Sequence, residues 1–289
     1  MLTTSLDRIA HKIETFNKFG DTGNGKVTRL SLSYEELEAR EELCRRCRKL
    51  GMHIETDDMA NIYATLKGNL FDSSIIMGSH LDTTKECEVS NGTIGALAAL
   101  EVIETIVKDN IPHNHSITIA IFTNTEDARF YPKLMGSGVV CGKLERSLML
   151  DSTDCDGVAV KEALEASGYM GTYDNRVSSE KYIGFIELSI EQGIVLENED
   201  ADIGIIEYTN DKVEFYPKFI ESIEKNIQNS GYKGMRLNSD SEYNAQFIAD
   251  IIPAAMIFVK SGKKTNFIEI CWKGANILLQ TILDIDKNK

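Results

Sequence analysis

Two periods alternate along the chain. In "MLTTSLDRIAHKIETFNKFG" the apolar residues Leu6, Ile9, Ile13 and Phe16 recur at helical spacing, which predicts an amphipathic helix. Residues 34–50 predict a charged amphipathic helix ending at Gly51. Compact apolar runs follow at 61–66, 73–79 and 116–124, the last rich in β-branched residues, and these predict buried strands. Between them, residues 91–110 predict a long helix whose first turn is rich in small residues. Strands are expected at 182–190, 201–208 and 253–260, a helix at 217–231 ended by Gly231, and a closing helix at 266–285. Such alternation predicts an α/β protein: a mixed, mostly parallel sheet flanked by helices, with both termini helical. Chemistry in such sheets sits at the C-terminal ends of strands. Both "GSHLD" (78–82) and "FTNTED" (122–127) stand where a buried strand runs out. There is no internal repeat.

Composition narrows the function classes. The 289 residues suit one large domain or two small ones. A formal net charge of −14 argues against non-specific nucleic-acid binding, which needs a basic surface to displace counterions, and against docking on anionic membrane. The N-terminus lacks a basic segment followed by an unbroken apolar one, so no signal peptide is expected. No apolar run approaches the roughly 20 residues of a membrane span, and a cytoplasmic protein is expected. The six cysteines are scattered, as reduced thiols are. Cys44 and Cys47 have C-x-x-C spacing but lie inside a helical stretch with no second pair, which does not make a zinc or redox signature.

His80 and Asp82 close one strand, and Glu126 and Asp127 close another. A histidine and carboxylates at adjacent strand ends are raw material for a zinc-type site, although a strand-end histidine also serves as a hydrogen-bonded structural residue. The order of segments says more. "VTRLSLSYEELEARE" (27–41), "GSHLDT" (78–83), "GALAALEVI" (95–103), "FTNTEDARFYPKLMGS" (122–137), "IELSIEQGIVLE" (186–197) and "PAAMIFVKS" (253–261) follow one another. Together they resemble the amidase–hydantoinase–carbamoylase branch of the dinuclear zinc aminoacylase and carboxypeptidase superfamily. That branch includes N-carbamoyl-L-amino acid hydrolases and allantoate amidohydrolases.

The resemblance implies a zinc-exopeptidase-like catalytic domain carrying an inserted lid. Two divalent ions share a bridging carboxylate, a glutamate accepts a proton from the activated water, and a lid histidine helps hold the oxyanion. Carried over by position, His80 matches the first ligand histidine, Asp82 its orienting partner and Glu126 a ligand glutamate. The bridging aspartate of a "DG" pair is Asn91 here, before Gly92. The general-base glutamate is Thr125, and the ligand histidine of "ELHIEQG" is Ser189. A "GHDA" segment becomes "EYNA", with Tyr243 and Asn244, and the last ligand histidine matches Thr265. One check needs no alignment: the five histidines are His11, His53, His80, His113 and His115, so none lies beyond residue 115. Zinc takes about four ligands, about three from protein in a catalytic site. His80 and Glu126 alone support at most weak residual zinc or manganese binding, and no cofactor is expected. The lid, expected after about residue 208, is missing as well. About 35 residues separate Tyr208 from "EYNA", fewer than the roughly 50 of a separate domain. The usual lid-mediated dimer is therefore not expected.

Three functions remain in view. The first is a non-hydrolytic descendant whose open cleft binds a peptide or protein partner in a biosynthetic pathway, using Asn91, Asn124, Arg129, Glu191, Gln192, Tyr243 and Asn244. The second is altered chemistry, a cyclisation or condensation, with Cys87 or Asp82 as candidate catalytic groups. The third is a retained metal-dependent C–N hydrolase acting on N-carbamoyl amino acids or amides.

Overall fold

The computed structural model describes residues 2–23, 25–88, 93–191, 193–209, 213–261 and 267–287. Its strands are β1 (Lys26–Val27), β2 (His53–Thr56), β3 (Ile62–Leu66), β4 (Ser74–Ser79), β5 (Cys87–Glu88), β6 (Ser116–Ile121), β7 (Tyr182–Ile190), β8 (Ile203–Thr209), β9 (Gly234–Ser239) and β10 (Ala254–Val259). Its helices are α1 (Leu6–Phe16), α2 (Tyr34–Lys49), α3 (Ile94–Lys108), α4 (Met135–Val140), α5 (Arg146–Leu150), α6 (Val160–Ser167), α7 (Val195–Asn198), α8 (Pro217–Asn229), α9 (Asn244–Ile248) and α10 (Phe267–Lys287).

Eight strands form one sheet in the order β2-β3-β6-β4-β7-β10-β8-β9, and β1 pairs with β5 apart from it. Four of its seven pairings are parallel: β6 with β4, β4 with β7, β7 with β10, and β8 with β9. The mixed, mostly parallel sheet is as expected. Its centre is apolar on both faces, which is why β4, β6 and β10 are uninterrupted buried runs. Successive residues of β7 point to opposite faces. Leu188 meets Gly95 of α3 and Gly274 of α10, whereas Glu187 meets Asn244 and Ala245 of α9.

Small residues at the start of α3 let that helix lie on the sheet. A Cβ on Gly95 would collide with the Leu188 carbonyl oxygen and stand 2.7 Å from Ser79 Cβ. Helix α1 is fastened to α3 by charge. The buried Lys12 ammonium lies 2.6 Å from Glu101 Oε2 and 2.6 Å from Glu104 Oε2, while Arg8 Nη2 lies 2.6 Å from Glu101 Oε1.

Some boundaries differ from expectation. The strand foreseen at 116–124 stops at Ile121, because the chain turns at Asn124, whose φ of 52° is left-handed. The helix foreseen at 91–110 begins at Ile94, and residues 89–92 lie outside the described residues. Two sheet edges, β2 and β9, carry alternating exposed polar residues and gave no compact apolar signal. After β8 the chain doubles back: Tyr208 pairs antiparallel with Glu214, and Phe215 N–H donates to Glu207 O at 3.3 Å. Among the described residues no helix is long and apolar enough to cross a membrane.

Two consequences can be measured. Gly95→Ala gains ~1 kcal/mol of helix propensity. The steric clash with the fixed Leu188 carbonyl costs about 1–3 kcal/mol. The variant should therefore unfold at lower urea concentration; equal or greater stability would refute the close approach. Burial alone would raise the Glu104 carboxyl, but Lys108 and Lys12 outweigh it and hold it at about 2. An unfolded carboxyl titrates near its ordinary 4.5. This contribution is therefore full above about pH 4.5 and lost as pH falls through about 2. Glu104→Gln should flatten the acid limb of a stability–pH curve across that window, and an unchanged limb would contradict the ion pairs.

Candidate functional site

Because β6, β4, β7 and β10 run parallel, their C-terminal ends share one edge of the sheet. A cleft of about 490 Å³ opens there. His80, one residue past β4, lies in its wall and is buried. Its Nδ1 lies 2.9 Å from the Asp82 carbonyl oxygen and 3.3 Å from Asp82 Oδ1. A proton on Nδ1 donates to that carbonyl and leaves Nε2 as the ring nitrogen toward the cleft. Burial alone would lower the imidazole. The hydrogen bond and charge of Asp82, joined by Glu126 and Glu187, outweigh it and hold the group at about 9.

The loop carrying His80 is fixed from behind by Arg29, a buried side chain the sequence reading did not single out. Arg29 Nε donates to Leu81 O at 2.7 Å, and Arg29 N–H donates to Thr83 Oγ1 at 2.9 Å. Asp82 Oδ2 accepts the Glu126 N–H at 2.9 Å, which ties the end of β4 to the loop after β6. Glu126 lines the cleft half-buried. Burial raises its carboxyl, His80 opposes that, and Asp82 and Asp127 add to the rise.

Glu187 was also missed. It is buried in β7 and faces α9. It accepts hydrogen bonds from Ser79 Oγ at 2.8 Å, Asn244 Nδ2 at 3.1 Å and the Ala245 N–H at 2.7 Å. Burial raises its carboxyl against these donors. Its only signal in the sequence is a lone acid inside the apolar strand "YIGFIELSI".

The expected recognition residues divide into three groups. Asn124 and Arg129 are outside the cleft lining, which corrects their expected role at the cleft surface. Asn124 Nδ2 donates to Phe130 O at 2.9 Å and Pro132 O at 3.1 Å, holding its own loop. Arg129 Nε is 3.0 Å from Asp154 Oδ2, and its Nη1 donates to Ser31 O at 2.9 Å. Glu191, Tyr243 and Asn244 do line the cleft, but each already has partners. Glu191 accepts the N–H groups of Val195 at 2.7 Å and Leu196 at 3.0 Å, and so caps α7. Tyr243 packs edge-on to Phe258, with its hydroxyl 3.1 Å from Ser239 Oγ. Asn244 is fully buried between Glu187 and Ser137, whose Oγ donates to its Oδ1 at 2.8 Å. Asn91 and Gln192, like Thr265, lie outside the described residues.

Of the candidate catalytic groups, Asp82 is buried behind His80, and Cys87 is a half-buried reduced thiol that lines the cleft. Thr125 and Ser189 line it too, and Thr125 Oγ1 lies 3.4 Å from Asn244 Oδ1. Neither hydroxyl has the basicity to take a proton from water near neutral pH. Among the described residues, no three His, Cys, Asp or Glu side chains come together as metal donors. By the resemblance the bridging position is Asn91, a neutral amide outside the described residues, and with His80 and Glu126 as the matching ligands the residues present do not fit a two-metal centre.

No family model matches the chain. Curated relatives do. It is 32% identical over 210 residues to an N-carbamoyl-L-amino-acid amidohydrolase of Pseudomonas sp. (strain NS671), which covers 71% of this chain and 50% of that enzyme. It is 29% identical over 205 residues to an N-carbamoyl-L-amino acid amidohydrolase of Geobacillus stearothermophilus, covering 69% and 49%. With the ureidoglycolate hydrolase of Arabidopsis thaliana it shares 29% identity over 215 residues, covering 71% and 45%. The chain thus spans about half the length of the curated relatives it matches. Its fold matches the crystal structure of a hydantoinase/carbamoylase family amidase from Burkholderia ambifaria, with a TM-score of 0.93 at 21% identity, covering 99% of this chain and 98% of that one.

The three donors on Glu187 define a structural clamp joining β4, β7 and α9. Glu187→Ala leaves those donors unmet and should cost about 2–4 kcal/mol in urea unfolding. Glu187→Gln, which keeps an acceptor oxygen, should recover most of that. Equal loss in both variants would argue against the clamp.

Proposed function

We propose that this chain, which belongs to the carbamoylase branch of the dinuclear zinc aminoacylase and carboxypeptidase superfamily, has given up two-metal hydrolysis and binds a peptide or a segment of a protein partner. The observation that carries the reading is the donor set. At the strand ends stands one histidine, His80, where the branch needs three, with Thr125 at the position of the general base and Asn91 at the bridge. A cleft of about 490 Å³ nevertheless persists, with the hydroxyls of Thr125, Ser189 and Ser261 in its wall. Such hydroxyls make hydrogen bonds and have too little basicity to activate water themselves.

The tight return from Tyr208 to Glu214 supports the same reading. On it, the lid is absent between β8 and α8, the cleft stays open to an extended chain, and the lid's dimer contact is absent too. The retained-hydrolase reading is favoured by the relatives, two of them amidohydrolases of N-carbamoyl-L-amino acids. It requires other groups to replace the missing base and ligands.

Turnover separates the two. The full chain, supplied with zinc, manganese or cobalt, is expected to release no ammonia from N-carbamoyl-L-amino acids above the uncatalysed background. Thr125→Glu, which restores a carboxylate at the base position, should not rescue turnover, since the ligand histidines are still missing. Metal-dependent turnover by the unaltered protein would overturn the proposal in favour of hydrolysis.

A further inference from the structure

We propose that the cleft receives the amino-terminal end of a peptide, with the primary ammonium at Glu126 and a backbone carbonyl farther along the ligand at Ser261. This rests on the peptide-binding reading above and specifies which end of the ligand enters and how it lies.

The inference starts from which polar groups in the cleft still lack a partner. Most are engaged. Glu187 has three donors, Glu191 caps α7, and Asn244 is held on both sides. Lys133 Nζ lies 3.1 Å from Glu242 Oε2, and His80 faces Asp82. Two groups remain. Glu126 is anchored through its backbone N–H, yet its carboxylate accepts no hydrogen bond among the described residues. Ser261 Oγ is buried and has no hydrogen-bond partner among them. A half-buried carboxylate is best satisfied by a charged donor. A buried hydroxyl needs an acceptor such as a carbonyl.

Charge sets the sign of the ligand. Both cations in the cleft wall pair with other carboxylates and reach Glu126 only through space, so an incoming ammonium would be its direct donor. An anionic group placed there would be repelled. An amide or N-carbamoyl group would offer only neutral donors.

Topology sets the length. Glu126 follows β6 and Ser261 follows β10, with β4 and β7 between them in the sheet. With its N–H on Asp82 past β4, Glu126 stands about two strand spacings from β10, about 10 Å, a span that about three extended residues cover. One amino acid is too short to reach both groups. Ile194, 59% exposed at the cleft, supplies an apolar surface for a ligand side chain.

The test uses a pool of random-sequence tetrapeptides with free amino termini and the same pool N-acetylated, followed by amide chemical shifts of the full chain. The free-amine pool should shift resonances around Thr125–Asp127 and Ser261. Acetylation, or Glu126→Gln, should each weaken binding by about tenfold or more. Ser261→Ala should weaken it by a smaller factor. If both pools bind equally, the amine assignment is wrong while peptide binding stands. If neither pool shifts any resonance at millimolar concentration, the inference falls together with the peptide reading. Acetylation changes only the ligand, so that comparison holds even if a variant folds poorly.

Discussion

Carboxylates packed at the ends of buried strands have to be neutralised, and the site is organised around that requirement. Asp82, Glu126 and Glu187 stand at the ends of, or within, three adjacent strands, and burial favours the uncharged form of Glu126 and Glu187. A metal pair is one way to hold such a group together. Protein groups meet part of that demand: the His80 imidazole lies against Asp82, the Glu126 N–H donates to Asp82, and Ser79, Asn244 and the Ala245 N–H donate to Glu187. Apart from His80 and Asp82, which share one loop, each donor joins two elements. The carboxylates of the site therefore serve as the rivets of the sheet edge.

That double role explains why much of the family's motif survives beside replaced ligand positions. Glu191 remains because it caps α7, while Asn244, which replaces the family's aspartate, fills the space between Glu187 and Ser137. Asn124 and Arg129 fasten the loop after β6. None of these interactions requires catalysis. The replaced positions, Asn91, Thr125 and Ser189, are those whose role in the family is to bind metal or move a proton. On the proposed reading, these replacements are what a change from turnover to binding leaves behind.

The sheet's centre was legible in the sequence because β4, β6, β7 and β10 are compact apolar runs and a parallel sheet buries both faces. The edges were not, since β2 and β9 mix exposed polar residues with apolar ones. At the site, His80, Asp82 and Glu126 were placed correctly by their position after strands. Arg29 and Glu187 were missed because their roles depend on contacts far away in the chain, to Leu81 and to Ala245. Arg129, a charged residue three positions from the ligand-like Glu126, turns toward Asp154. Periodicity reports which face a residue takes, but not which partner it finds there.

The central claim is that protein donors, and not a pair of ions, balance these carboxylates. Calorimetric titration of chelator-stripped protein with zinc tests it most directly. The account predicts no site tighter than about 10 µM, as two residual ligands allow. Two equivalents of zinc bound at submicromolar affinity would contradict it.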